Sequence, residues 1–330
     1  MNTDAAPIPV WRTFEELPPW RAVVTIGGFD GVHRGHQALL AVLRQAAREY
    51  QARPVVVTFD PLPRAVLRGK HENFYLTLAD EKVALLAQHG AHGVLLLPFD
   101  RDLAARPGRA FIEDLHARLR FPCLCVGYNF ALGRNREGDV PALRTWGEAL
   151  GYEVRVVGPV TVPGLGIVSS SRIREALAQG RVARAAQLLG RWYAVQGPVV
   201  RGDARGRRLG FPTANLALDP RKALPARGVY AAWAWVADQP QPAVVNIGYR
   251  PTFGAAARPQ VEAHLLDFQG DLYGQRLRLE FVQRLREERS FPSVDALRAQ
   301  IARDVQRARE VLSHVRASAR VPSESQDLPA

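Results

Sequence analysis

Between residues 22 and 157 short apolar runs alternate with segments of helical periodicity, and past Trp192 that alternation stops. "AVVTI", "RPVVVTF", "HGVLLLPF", "PCLCVG" and "YEVRVVG" each read as a strand buried on both faces. Between them lie "ALLAVLRQAAREY", "LADEKVALLAQHG" closed by Gly90, "GRAFIEDLHARL" and a segment near residues 140–150, all read as helices. Strands separated by crossover helices predict a parallel sheet covered on both faces. Beyond Trp192, "YAVQGPVV", "GVYAAWAWVA", "PAVVNIG", "QVEAHLLDF" and "RLRLEFVQRL" follow one another through Gly and Pro turns. No long helix interrupts them until "SVDALRAQIARDVQRAREVLSHV". Strands in succession without crossovers predict an antiparallel barrel or sandwich. "SSSRIREALAQGRVARAAQLLG" reads as two short helices broken at Gly180, so the boundary is expected near residue 188. The expected division is 1–188, 189–316 and a polar, Pro-containing tail over 317–330 expected to be disordered.

A chain of 330 residues has room for two such cores. Its net charge is +12, and all but three of its 44 basic residues are arginine, the exceptions being Lys70, Lys82 and Lys222. Arginine binds phosphate well, which invites a nucleic-acid reading. The arginines are dispersed without a run of five, however, and basic charge alone is a weak signal. A basic nucleic-acid-binding protein therefore stands as the rival from another class, expected to bind with steep salt dependence and to turn over no small substrate.

Cys123 and Cys125 are two apart on a strand, point the same way and cannot bridge without distortion. Two cysteines are too few for a thiolate zinc site, and they read as small buried apolar residues suited to a reducing compartment. The N-terminus lacks an apolar leader, and no apolar stretch is long enough to span a bilayer. The expectation is a cytoplasmic protein without a membrane partner; its composition is compatible with self-association.

Chemistry enters at "TIGGFDGVHRGHQALL", where a strand hands over to a helix through Gly27, Gly28 and Gly31. Such a turn lets a ligand approach the backbone, and the helix start presents N–H groups that suit a phosphate. His33 and His36 are three apart and would share one face of the first helical turn, ready to hydrogen-bond a nucleotide's phosphates. "TFDPLP" and "GYNFALGRNREGD" end later strands and so fall at the same edge of the sheet, the edge where ligands bind in parallel α/β folds. Ser169 to Ser171 open a helix that also carries Arg172 and Arg174, a group able to cap the helix and bond phosphate.

"GGFDGVHRGH", "TFDPLP", "GYNFALG" and "SSSRIR", in that order, resemble the adenylyltransferase half of bacterial bifunctional riboflavin kinase/FAD synthetases. "GDARGRRLGFPTAN" resembles the same family's kinase signature, and "NIGYRPTFG", "VEAHLLDF" and "DLYG" follow in the family's order. The resemblance covers roughly residues 15 to 310, and several motifs in fixed order are far more specific than one. It implies an α/β, Rossmann-like nucleotidyltransferase domain with a parallel sheet, then a mainly-β riboflavin-kinase barrel with a C-terminal helix.

The same resemblance implies two reactions. Riboflavin would be phosphorylated by ATP to FMN, and FMN would then be adenylylated by ATP to FAD and pyrophosphate. In the first domain His33 and His36 would be catalytic, with Gly27, Phe29, Asp30, Gly35, Asn129, Ser170, Ser171 and Arg174 around the nucleotide. In the second, Gly202, Gly206, Arg207, Gly210 and Pro212 would wrap ATP's phosphates, and Thr213 and Asn215 would hold Mg²⁺. A carboxylate should take the proton of the attacking hydroxyl; Glu262, Asp267, Asp271 and Glu280 compete for that role on the residues alone, and the resemblance selects Glu262. Many members have a His where this chain has Leu62, a Thr at Ser171 and a basic residue at Ile167. Leu62 and Ile167 each remove a polar group near the expected triphosphate, which motivates a second reading, a riboflavin kinase whose first domain only binds nucleotide. A further rival is a nucleotidyltransferase for another phosphorylated alcohol, against which "GFPTAN" speaks, since a single-domain transferase has no place for it.

Overall fold

The computed structural model describes residues 8–69, 72–202, 205–249 and 259–315. By its internal contacts the chain separates into two compact units that divide between Ser170 and Ser171.

The first unit is built on six strands, β1 (Val10–Trp11), β2 (Ala22–Ile26), β3 (Arg53–Phe59), β4 (Gly93–Leu97), β5 (Cys123–Gly127) and, after two short ribbon strands, β8 (Glu153–Val157). The ribbon strands are β6 (Ala131–Leu132) and β7 (Gly138–Asp139), and a second ribbon pairs β9 (Thr161–Val162) with β10 (Gly166–Ile167). The six pair in parallel in the order β1-β4-β3-β2-β5-β8. From β2 the chain builds outward through β3 and β4, then returns to place β5 on the other side of β2. The sheet's switch point therefore lies between the carboxyl ends of β2 and β5.

Side chains alternate between two cores. Val24, Ile26, Val55 and Val57 join Phe111, Ile112 and Leu115 on one face, while Val23, Val56 and Val94 join Leu39, Leu40 and Leu43 on the other. The covering helices are α1 (Arg34–Glu49), α2 (Pro63–Arg68), α3 (Ala79–Gln88), α4 (Arg101–Ala105), α5 (Gly108–Leu119) and α6 (Val140–Leu150). Local chemistry sets their ends: Asp139 accepts from the Ala142 N–H at 3.0 Å, and Gly151 closes α6 at φ 82°. Cys123 and Cys125 share one face, as their spacing predicts, with sulfurs 3.8 Å apart in a thiol–thiol hydrogen bond and no disulfide between them.

In the second unit α7 (Ser170–Ala178, entering from its first residue) and α8 (Val182–Leu189) precede β11 (Tyr193–Val200), α9 (Arg205–Arg208), β12 (Ala214–Leu216), β13 (Gly228–Val236), β14 (Gln239–Tyr249), β15 (Pro259–Leu265), β16 (Arg276–Arg286) and α10 (Val294–Ser313). Six strands close an antiparallel barrel in the order β11-β12-β15-β14-β13-β16, which decides between the barrel and the sandwich. α10 lies on it through Ala308, Val311 and Leu312 against Val229, Ala231 and Val282. The contact division falls well before residue 188 because α8 packs on β16 and β11, and Ala226 N–H bonds the Leu177 carbonyl at 2.8 Å. The expected tail over 317–330 lies outside the described residues.

Candidate active sites

In the first unit a cavity of about 660 Å³ opens at the switch point. Gly27, Gly28 and Phe29 reach it from the end of β2, and Gly127 and Asn129 from the end of β5. His36 lines it. His33, almost fully buried, caps α1: its Nδ1 accepts from the His36 N–H at 3.3 Å, and the two rings stack 3.6 Å apart at 12°. The Phe29 ring stands 5.1 Å from that of His36, tilted by 52°. Gly35 leaves room for this stack, since a Cβ there would come 3.3 Å from the His33 ring. Its lining combines polar His36, Asn129, Arg134 and Arg136 with apolar Phe59, Phe99, Leu103 and Phe111.

Other expected residues lie outside this lining. The Asp30 carboxylate accepts the N–H groups of Leu76 (2.9 Å) and Thr77 (3.1 Å), so it braces a neighbouring loop. Ser170 Oγ donates to the Asp30 carbonyl at 2.9 Å. Ser171 and Arg174 lie on the first turns of α7, in the unit that carries the barrel. Leu62 is buried with Ala65, Phe74 and Tyr75, while Ile167 is solvent-exposed on its ribbon.

Sequence reasoning missed Lys82. Its side chain is 2% exposed, and Nζ donates to the carbonyls of Phe59 (2.7 Å) and Gly28 (3.4 Å). Burial pulls its pKa down to about 8, against the opposing pull of Asp30 and Asp60. A signal was there: Lys82 occupies the buried stripe of α3 one turn from Leu86, where an apolar residue belongs.

On the barrel, pairing assembles the second site. Asn215 on β12 lies directly opposite Glu262 on β15, and Glu262 in turn lies opposite Asn246 on β14. All three line a cavity of about 490 Å³ together with Thr213, His264 and Phe291. Two glycines of the preceding loop abut this cavity's lining. A Cβ on Gly202 would meet the Asn215 side-chain nitrogen at 2.5 Å, and one on Gly206 would meet the Phe211 carbonyl at 2.4 Å and Thr213 Oγ1 at 3.2 Å. Arg207 and Pro212 line an adjoining cavity of about 450 Å³ with Arg201, Phe268 and Tyr273, and Thr213 borders both. His264 Nδ1 sits 2.8 Å from the Pro212 carbonyl, and its ring meets Phe211 edge-on.

The loop differs from an open wrap of phosphate-facing N–H groups. Leu209 and Phe211 N–H bond the Gly206 carbonyl, and Gly210, at φ 88°, bonds that of Arg207. Those three donors are spent inside the loop, because the chain coils through the single turn of α9. The rival carboxylates separate. Asp267 is held by two 2.7 Å bonds to Arg309, whose guanidinium lowers its pKa; Glu280 is buried against Arg278; Asp271 lines the adjoining cavity. Glu262 alone of the four lines the cavity of Asn215 and Thr213. "NIGYRPTFG" is described only up to Tyr249, and Asp203 and Ala204 of the loop lie outside the described residues.

The chain matches two family models, FAD synthetase over residues 17–172 and riboflavin kinase over residues 189–312. It is 42% identical over 303 residues to a bifunctional riboflavin kinase/FMN adenylyltransferase of Escherichia coli, covering 91% of this chain and 95% of that one. The proteins of the same description from Pseudomonas fluorescens and Bacillus subtilis are 41% identical (87% and 92% covered) and 35% identical (90% and 94% covered). A crystal structure described as a macrolide-efflux protein from Streptococcus pneumoniae superposes with a TM-score of 0.85 at 31% identity, covering 92% of this chain and 99% of that chain. Among the described residues of this chain no helix is long and apolar enough to cross a membrane.

Proposed function

The chain belongs to the bifunctional riboflavin kinase/FMN adenylyltransferase family, and from that membership we propose how its two sites divide the work. The protein phosphorylates riboflavin to FMN and adenylylates FMN to FAD.

On the barrel, the riboflavin 5′-hydroxyl attacks the γ-phosphorus of ATP, the bond from that phosphorus to the β,γ-bridging oxygen breaks, and ADP leaves. Glu262 takes the hydroxyl proton. The observation that carries this assignment is the row Asn215–Glu262, with Thr213 beside it in one cavity. Thr213 and Asn215 offer a hydroxyl and an amide oxygen, hard donors that suit Mg²⁺, and two protein ligands leave room for phosphates and water. Bound there, Mg²⁺ would neutralise charge on the transferred phosphoryl group. Phe211, Phe291 and Leu297 make the Glu262 cavity the flavin side. Arg201, Arg207 and Tyr273 make the adjoining one the nucleotide side, with Thr213 between them.

In the first unit an oxygen of the FMN phosphate attacks the α-phosphorus of a second ATP and pyrophosphate departs. His36, steadied by its stack on His33, meets the developing charge, with Asn129 and the glycine turn around the phosphates. The aromatic and aliphatic part of the lining, Phe59, Phe99, Leu103 and Phe111, suits a flavin ring. In the same reading Ser171 and Arg174 bind nucleotide phosphate, and the functional boundary stays near residue 188. The buried thiols of Cys123 and Cys125 fit the reducing cytoplasm, where the reading places the enzyme.

The test is a time course with riboflavin, ATP and Mg²⁺, the flavins separated by chromatography. FMN should appear first and FAD after it. FMN accumulating alone would leave the first unit a nucleotide-binding relic, and Leu62 and Ile167 would be the first positions to revert.

A further inference from the structure

The Gly28 carbonyl points into the protein, where Thr58 Oγ1 donates to it at 3.2 Å and Lys82 Nζ at 3.4 Å. A trans peptide is planar and its C=O and N–H point in opposite directions. The N–H of the same peptide, that of Phe29, therefore points away from Lys82 and Thr58, and Gly28 and Phe29 both line the adenylyltransferase cavity. Phe29 holds φ at 47°, a left-handed conformation a phenylalanine adopts only when its surroundings impose it. Lys82 also bonds the Phe59 carbonyl at 2.7 Å, so one ammonium ties the turn after β2 to the end of β3. Burying a lysine is costly unless its charge is met, and here carbonyls meet it, with Asp30 and Asp60 as the nearby anions.

We propose that Lys82, together with Thr58, is a positioning residue that locks the Gly28–Phe29 peptide with its N–H turned to the phosphates in adenylyl transfer. The lock acts through the backbone donor and does not touch substrate. It rests on the adenylyltransferase reading of this cavity. A rigidly held N–H is effective because it needs no reorganisation as charge builds on the phosphates. Without the two side-chain donors the peptide is free to rotate and present its carbonyl, which repels the same charge.

The experiment compares Lys82→Met, Thr58→Val and Thr58→Ser in the full chain, measuring kcat and KM for FAD formation from supplied FMN and ATP. Melting temperature and riboflavin phosphorylation are followed on the same preparations. Lys82→Met and Thr58→Val should lower kcat for FAD formation by about 10- to 100-fold, somewhat below the loss expected on deleting a donor outright. KM for FMN should move little, Thr58→Ser should restore kcat, and FMN formation from riboflavin should be unchanged. Thr58→Val is nearly isosteric and carries the test if Lys82→Met does not fold. Wild-type kcat in Thr58→Val, or a loss of activity that only follows the melting temperature and that Thr58→Ser does not rescue, would overturn the proposal. A wild-type chain that makes FMN and no FAD would remove the underlying reading instead.

Discussion

A histidine stacked 3.6 Å from its neighbour and a glutamate paired across a ladder with an asparagine lie in separate units, so under the proposed roles they should fail separately. His36→Ala is expected to lower FAD formation by about 10²- to 10³-fold, as removal of a charge-stabilising donor does, while FMN formation stays near wild type. Glu262→Ala should lower riboflavin phosphorylation by about 10²- to 10⁴-fold, the range of a general base, while FAD still forms from supplied FMN. Chromatographic rates on each variant check both, and equal loss of the two activities in either one would dissolve the two-site assignment. The histidines were legible because their spacing is local and the helix start turns it directly into geometry. The bracing role of Asp30 was not legible, since its partners Leu76 and Thr77 are distant in sequence and close only in the fold. Lys82 was hidden for the same reason: its acceptors sit at the ends of two other elements.

Between the residue and the molecule stands β12. Three residues are too short to show a period, so "GFPTAN" reads as a motif and not as a strand. Pairing with β11 on one side and β15 on the other makes it one, and only that register brings Asn215 opposite Glu262. The loop before it is folded back so tightly that Gly206 has no room for a side chain. Gly206→Ala must displace the Phe211 carbonyl or the Thr213 side chain. It should therefore lower kinase kcat by about 10- to 100-fold, the scale of a small misplacement at a reacting centre. It should also raise the Mg²⁺ concentration at half-maximal rate. A Mg²⁺ titration of riboflavin phosphorylation checks this, with FAD formation from FMN as the internal control. An unchanged titration would place the metal away from Thr213.

At the scale of the whole chain, the change from alternating strand and helix to strands alone announces two units, each with its own core. Where they divide is a matter of packing. Val182, Ala185, Ala186 and Leu189 make an apolar stripe on α8, which reads equally well as belonging to either side. Ala186 joins Val229, Ala231 and Val282 in the barrel's outer core. A fragment beginning at residue 171 should therefore melt roughly 10 °C higher than one beginning at 189. The figure reflects about 1.5–3 kcal/mol for each large apolar side chain left exposed and a few degrees per kcal/mol. Calorimetry on the two fragments decides it; equal melting temperatures would make α8 dispensable to the barrel. By itself the sequence determined the two fold classes and the strand-end placement of the histidine motif. Each is written in periodicities and spacings a few residues long. The closed barrel, the Asn215–Glu262 register and the Lys82 clasp depend on contacts between residues far apart in the chain. Tertiary packing alone decided those, because a local pattern cannot state which distant backbone group a buried donor will find.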